Sequence, residues 1–290
     1  MPLPAHKLID VMPALAASIG SESDHFLEVA QAILTTDTVE KTAFARIEVA
    51  GSDGAAQEIR IAALGKGSGM IHPQLVPHAT MLIYIMTDAA IDPAVLDSYL
   101  RPAIEVSFNR ISVDGDTSTN DTVLLLASGA SGVSIGPGNA AFASALTQVC
   151  TSMARQVVAD GEGLTHVVEL RIDGAASDAD ALRVAKAIAH SPLVKTAWSG
   201  NDPNWGRLIA AVGYSGAQID PDRIDISFGE LPICRNGGRA AEFEEATAHA
   251  YISQPEFSIS IQLNQGAGSC VFWTTDLTHQ YIHINADYST

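Results

Sequence analysis

Residues 65–88, GKGSGMIHPQLVPHATMLIYIMTD, join a glycine-rich turn carrying one lysine, a proline-bracketed loop (Pro73 to Pro77) and an unbroken apolar run. The run from Met81 to Met86 is short and flanked by turn residues, a pattern that predicts a strand buried on both faces. Thr80 therefore stands where an irregular loop enters a core strand. A threonine hydroxyl is a poor nucleophile until a base sits beside it. If the bond between Ala79 and Thr80 were cut, the freed α-amine of Thr80, with a pKa of about 8, would supply that base without a distant histidine. The small Ala79 leaves its carbonyl open to the Thr80 hydroxyl, so one side chain would cut the chain and then serve as nucleophile. The plain alternative is a loop threonine beside a strand.

Upstream of this stretch, residues Ala43 to Val49 and Glu58 to Ala63 alternate apolar and polar side chains around Gly51-Ser52-Asp53-Gly54, which predicts a half-buried hairpin delivering the chain to Lys66. The glycines around Lys66 invite a phosphate-loop reading, but the GxxxxGK[ST] spacing is absent and a strand, not a helix, follows. Two readings of Lys66 stay open: a lysine facing a carboxylate or a developing negative charge, and a plain solvated loop lysine. Phe26, Val29, Ala30 and Ile33 fall at helical spacing within residues 22–34, with Ser21 and Asp24 as a capping pair. That helix feeds the hydroxyl-rich cluster Thr35 to Thr38.

Downstream, Asp92 and Pro93 open a helix running to Phe108, bent near Pro102 and expected to pack on the buried strand. Asp114 to Asp121 (DGDTSTND) resembles a calcium loop only superficially: its sixth position is Thr119, not glycine, and its twelfth is Leu125, not a bidentate acid. A hydrogen-bonded turn between Ile111 and the strand Val123 to Ala127 fits better. Phe142, Leu146, Val149, Met153 and Val157 mark a long helix that starts near Pro137 and stops at Asp160-Gly161-Glu162-Gly163, so Glu162 is expected on a tight turn. A strand over His166 to Ile172 and a helix from Asp178 to Ala189, capped by Ser177 and stopped by Pro192, come next. The Asp202 to Arg207 stretch (DPNWGR) reads as a polar and aromatic loop near a site or an interface. Short strands at Ile224 to Phe228, Ile233 to Cys234, Phe257 to Leu263 and Cys270 to Thr274, with a helix near Ala240 to Tyr251, complete an α/β pattern. His72 and His78 have no nearby acid at ligand spacing and are read as loop histidines, so no metal is expected.

Composition bounds the partners. Acidic residues number 33 against 16 basic ones, and the formal net charge of -17 argues against nucleic acid or an anionic membrane surface. The three cysteines, Cys150, Cys234 and Cys270, are widely spaced and form no CxxC, which points to a reducing, cytoplasmic setting rather than a disulfide framework. No apolar run approaches the roughly 18 residues that span a bilayer.

Lys66 to Met70, Ala79-Thr80-Met81-Leu82 and Thr87-Asp88 together resemble the self-cleaving segment of the ornithine acetyltransferase (glutamate N-acetyltransferase) family of arginine biosynthesis. Further matches run in the family's order: Thr35 to Thr38, Ser107 to Arg110, Asp114 to Asp121, Asp160 to Gly163, Ser191 to Thr196 (SPLVKT), Asp202 to Arg207, Asp276 to Thr278, and Ile284 to Thr290. The resemblance implies an α/β fold of stacked mixed sheets and helices, of N-terminal-nucleophile-like type. It implies self-cleavage between Ala79 and Thr80, dividing an α-chain part (residues 1–79) from a β-chain part (residues 80–290) that stay associated within a larger homo-oligomer. Thr80 would take the acetyl group of N2-acetylornithine as an acyl-enzyme and pass it to glutamate, with no cofactor. Thr35, Lys66, Thr80, Glu162, Asn285 and Thr290 are the matched substrate contacts, and whether acetyl-CoA also serves as donor stays open. Two departures stand out: the His72 to His78 spacer is longer than the family's, and the family's Thr-Gly oxyanion pair would precede the position of Met1. The rival readings are a self-processing N-terminal-threonine aminopeptidase with water as acceptor, and an inactive, truncated remnant.

Overall fold

A computed structural model describes residues 4–50, 56–74 and 81–287. Two helices, α1 (Ala5–Ala17) and α2 (Ser23–Ala32), precede the first sheet. The expected Ser21–Asp24 cap is not formed, because α2 begins at Ser23 with Glu22 as its N-cap and no side-chain cap hydrogen bond. The hairpin forms as its alternation requires: β1 (Lys41–Ala50) pairs antiparallel with β2 (Ala56–Lys66), with Ala45 opposite Ile61. Its expected turn, residues 51–54, lies outside the described residues.

β2 pairs antiparallel with β3 (Leu82–Thr87), setting Lys66 opposite Leu82. The strand is correctly anticipated, but burial on both faces is not. Ile83 and Ile85 are buried, whereas Leu82, Tyr84 and Met86 are only half-buried. Next come α3 (Pro93–Glu105), the two-residue β4 (Ile111–Ser112) and β5 (Thr122–Ala127), which returns parallel to β3 and completes a four-stranded sheet ordered β1-β2-β3-β5. Asp92 stands at the N-cap of α3, where its carbonyl accepts the Val95 and Leu96 N–H groups at 2.9 Å but its side chain makes no cap bond. Rather than lying on β3, α3 packs chiefly on the next helix, α4 (Ala140–Ala159).

That helix is the spine of the molecule. Asn139 caps it by accepting from the Phe142 N–H at 3.0 Å, a contact worth about 1 kcal/mol. Phe142, Leu146, Val149, Met153 and Val157 are all buried at helical spacing. They pack against the inner face of the first sheet, and further along α4 touches β4 and the last strand of a second sheet. One face of the first sheet is therefore sealed. The other is only partly covered by α2, through contacts such as the Phe26–Phe44 ring pair at 5.3 Å, and leaves Phe44, Leu124 and Leu126 exposed.

The second half of the chain supplies β6 (Val167–Ala175), α5 (Asp178–Ala189), α6 (Pro192–Ser199), α7 (Trp205–Gly213), β7 (Asp225–Phe228), β8 (Leu231–Arg235), β9 (Gly238–Arg239), α8 (Glu245–Ile252), β10 (Glu256–Gln262), β11 (Gly268–Thr275) and α9 (His279–Asp287). Its strands join β4 in a mixed seven-stranded sheet ordered β4-β11-β6-β10-β7-β8-β9. Period-2 alternation divides this sheet's faces: Val168, Leu170, Ile172 and Phe272 enter a second core with α5 to α8, while Val167 and Trp273 face the first core. Ser177 caps α5 as expected, accepting from the Asp180 N–H at 3.1 Å. Pro192 does not merely stop α5; it opens α6 at the position where its missing N–H costs nothing. Likewise the Asp202 to Arg207 stretch is not a loop throughout, since Asn204 caps α7.

Candidate active site

The glycine turn after β2 is held by a buried ion network. Lys41, at the start of β1, has no exposed side-chain surface and reaches Asp37 at 2.7 Å and Asp160, at the end of α4, at 2.6 Å. Asp37 also accepts the Gly67 N–H at 2.6 Å, and Asp160 the Thr38 N–H at 2.9 Å and the Thr38 hydroxyl. Burial pushes the Asp37 carboxyl up, but the Lys41 hydrogen bond, the Gly67 N–H, the Lys41 charge and the Thr35 N–H outweigh it. The net effect holds that carboxyl below the usual range. Ser68 donates to the Asp160 carbonyl at 2.6 Å, and the Glu162 N–H donates to the Ser68 carbonyl at 3.2 Å. Three stretches distant in sequence, 35–38, 66–68 and 160–162, are thus locked together.

This lock sets four of the sequence-predicted site residues around one turn. Lys66 is buried, and its Nζ lies 3.3 Å from the hydroxyl of Thr35, itself exposed. The Glu162 carboxyl stands against Gly69, where an added Cβ would meet it at 2.4 Å, so only glycine admits that approach. Asn285, on α9, donates to Glu162 Oε2 at 2.9 Å. The terminal helix is seated by Thr278, whose hydroxyl donates to the Gly163 carbonyl and accepts from the N–H groups of Gln280 and Tyr281. Gly163 has φ +66° and abuts the Tyr281 backbone, so a Cβ there would push the helix away. Ala79, Thr80, His78 and Thr290 lie outside the described residues.

Both flanks of the Thr80 loop are described. On the entry side, Asp114 accepts the N–H groups of Met70 at 2.7 Å and Ile71 at 3.0 Å, and the Tyr281 hydroxyl at 3.2 Å. Burial first, then the Asp114 charge and hydrogen bond, raises the Tyr281 phenol above its usual range. On the exit side, Asp121 accepts the Met81 N–H at 2.6 Å. His72 is no ordinary loop histidine. It is buried, packs edge-on to His190 with ring centroids 4.3 Å apart, and is pushed down to about 4 by burial and then by the Lys186 charge. Lys195 is buried with its Nζ on the Thr274 hydroxyl at 3.2 Å and on the Thr275 carbonyl, bracing the strand end that leads to α9. Arg207 bonds the Leu193 carbonyl of α6, so the Asp202 to Arg207 segment is tied to α6 rather than to the Lys66 turn.

Lys41, Asp37 and Asp160 escape a motif reading that assigns roles only to substrate contacts. A signal does exist for Lys41. Its parity on β1 is that of Ala43 and Val49, the inward face, where a lysine needs buried carboxylates.

The solved arginine biosynthesis bifunctional protein argJ of Bacillus halodurans is similar to this chain with a TM-score of 0.68 at 42% identity, over 71% of this chain and 98% of that one. Its likeness puts the chain in the mixed α/β, N-terminal-nucleophile-like fold class. Arginine biosynthesis bifunctional proteins ArgJ are also similar in sequence: that of Ruegeria pomeroyi is 49% identical over 91% of this chain and 63% of its own length, and that of Geobacter sulfurreducens 44% identical over 100% and 72%. The ArgJ family pattern matches residues 1–290, and the chain belongs to the ArgJ family. It spans between 63% and 72% of the length of the curated relatives it matches.

Proposed function

We propose that the protein transfers an acetyl group from N2-acetylornithine to glutamate through a threonine acyl-enzyme, after cleaving itself between Ala79 and Thr80. The observation that carries this reading is the convergence of Thr35, Lys66, Glu162 and Asn285 on the turn at residues 66–69, through the Lys66–Thr35 and Glu162–Asn285 contacts. A fixed lysine and a fixed carboxylate on one turn suit an α-amino acid, the lysine taking the carboxylate and Glu162 the ammonium.

In the cleavage step the Thr80 hydroxyl oxygen bonds to the Ala79 carbonyl carbon, its proton passes to the leaving amide nitrogen, and water hydrolyses the ester. A carboxylate on Ala79 and an α-amine on Thr80 result. In transfer the α-amine takes the hydroxyl proton while the oxygen attacks the acetyl carbonyl. The proton goes to the departing nitrogen, ornithine leaves, and the glutamate amine then takes the acetyl group from the ester. One observation supports a cut that leaves the parts together: β2, before the loop, and β3, after it, pair in one sheet, which would hold residues 1–79 to residues 80–290 without the bond.

Denaturing mass spectrometry should find two fragments, the second beginning at Thr80, and acetyl should pass from acetylornithine to glutamate. Thr80→Ala should abolish both. An uncut wild-type chain, or acetate release to water without transfer, would overturn the proposal.

A further inference from the structure

The DGDTSTND stretch, which the functional reading leaves without a role, grips the Thr80 loop from both sides. Beyond the Asp114 contacts with Met70 and Ile71, the Val113 N–H donates to the Ile71 carbonyl at 2.7 Å and the Thr117 hydroxyl to the His72 carbonyl at 2.8 Å. At the loop's exit Met81 is fully buried and both its backbone groups are engaged. Its N–H donates to Asp121 at 2.6 Å, and its carbonyl accepts from the Thr122 N–H at 2.8 Å. The parallel pairing of β3 and β5 brings these groups together, since the two strands start side by side at Leu82 and Thr122.

We propose that residues 113–122 are a splint fixing both ends of the 70–81 loop, and that Asp121 is a positioning residue for Thr80, holding its following peptide nitrogen and biasing the charge of its α-amine. The inference rests on the function proposed above. The Met81 nitrogen closes the peptide group that follows Thr80, so the Asp121 carboxylate holds the chain one peptide unit from the amine that cleavage would free. A buried carboxylate at roughly 4–6 Å from an amine favours the ammonium form and raises its pKa by about one unit or more. A displacement of about 1 Å at the ends of a loop that carries a reacting bond costs on the order of a hundredfold in rate, which is the size of effect such a splint would prevent.

The test uses the full chain with Asp121→Asn, Asp121→Glu and Asp114→Asn beside wild type. It follows fragment formation over time by denaturing mass spectrometry, the pH profile of kcat/KM for acetyl transfer, and thermal melting. If wild type neither cuts nor transfers, the functional reading fails; the splint is judged only against an active wild type. Asp121→Asn should slow cleavage tenfold or more and move the acid limb of the profile down by about one pH unit, because the amine loses a neighbouring negative charge. Asp121→Glu, which keeps the charge but shifts the carboxylate, should slow cleavage and leave the limb in place. Wild-type cleavage by Asp121→Asn would overturn the splint, and an unshifted limb would overturn the effect on the amine. Should Asp121→Asn fail to fold, the half-buried Asp114→Asn decides: tenfold slower cleavage supports the splint, and an unchanged rate overturns it.

Discussion

Lys41→Met removes the one cation that Asp37 and Asp160 share among the described residues, and the consequence can be worked out from the geometry. Both carboxylates lie within 2.7 Å of one ammonium, so they are neighbours of like charge once it is gone. The Asp37 side chain is fully buried and that of Asp160 nearly so, at 6% exposure. Removing one partner of a buried ion pair costs about 3–5 kcal/mol. Backbone donors remain, Gly67 and Thr35 on Asp37 and Thr38 on Asp160, so the loss should fall near the lower end, about 3 kcal/mol. Urea unfolding at pH 7 should show a lower midpoint with an unchanged slope.

The sign of the pH dependence provides a second check on the same variant. In the wild type the Asp37 carboxyl is held below its usual value of 3.8, so its contribution is present above that value and fades as pH falls through the lower folded one. Without Lys41, burial and the like charge act to raise the carboxyl pKa, and the folded variant takes up a proton as pH falls. The deficit should therefore be greatest at pH 7 and shrink toward pH 4. A loss under about 1 kcal/mol at pH 7, or a deficit that ignores pH, would refute the account of the network as a buried ion triad.

Glu162→Gln and Lys66→Ala should each cut kcat/KM for acetyl transfer at least tenfold while melting stays within a few degrees, and steady-state kinetics beside a thermal melt checks this. Gly69→Ala should behave like Glu162→Gln, because the new methyl group meets the carboxyl at 2.4 Å and must displace it; wild-type KM in that variant would show that Glu162 does not act from its present position. Finally, His72 and His190 both sit near pKa 4, lowered first by burial, whereas an unfolded histidine titrates near 6.5. Their favourable neutral state contributes fully above pH 6.5 and is lost as pH falls toward 4, with His72 alone accounting for about 2 kcal/mol at pH 5. His72→Phe should flatten the fall in melting temperature between pH 7 and pH 5, and an identical slope in wild type and variant would count against the pair.

Local pattern carried a large part of this protein. Alternation in residues 43–49 and 58–63 specified the hairpin, helical spacing from Phe142 to Val157 specified α4, and turn chemistry at Ser177 placed a cap where one forms. Ordered motif matches likewise picked out Thr35, Lys66, Glu162 and Asn285 before any of them had a neighbour. What those patterns leave undecided is which element covers which face. The apolar run entering β3 reads as buried on both sides, yet α4 seals only one face of its sheet, and no periodicity within the run carries that information. Pro192 reads as a stop because a proline ends one helix as readily as it starts the next, and only the packing of α6 on α5 and α7 separates the two. Distance in sequence limits the site most of all. Lys41 meets Asp160 across 119 residues and Glu162 meets Asn285 across 123. Such pairs exist because α4 returns the chain from its second half to the end of β2, a result of burying one long apolar helix face between two sheets that no local window of residues can express.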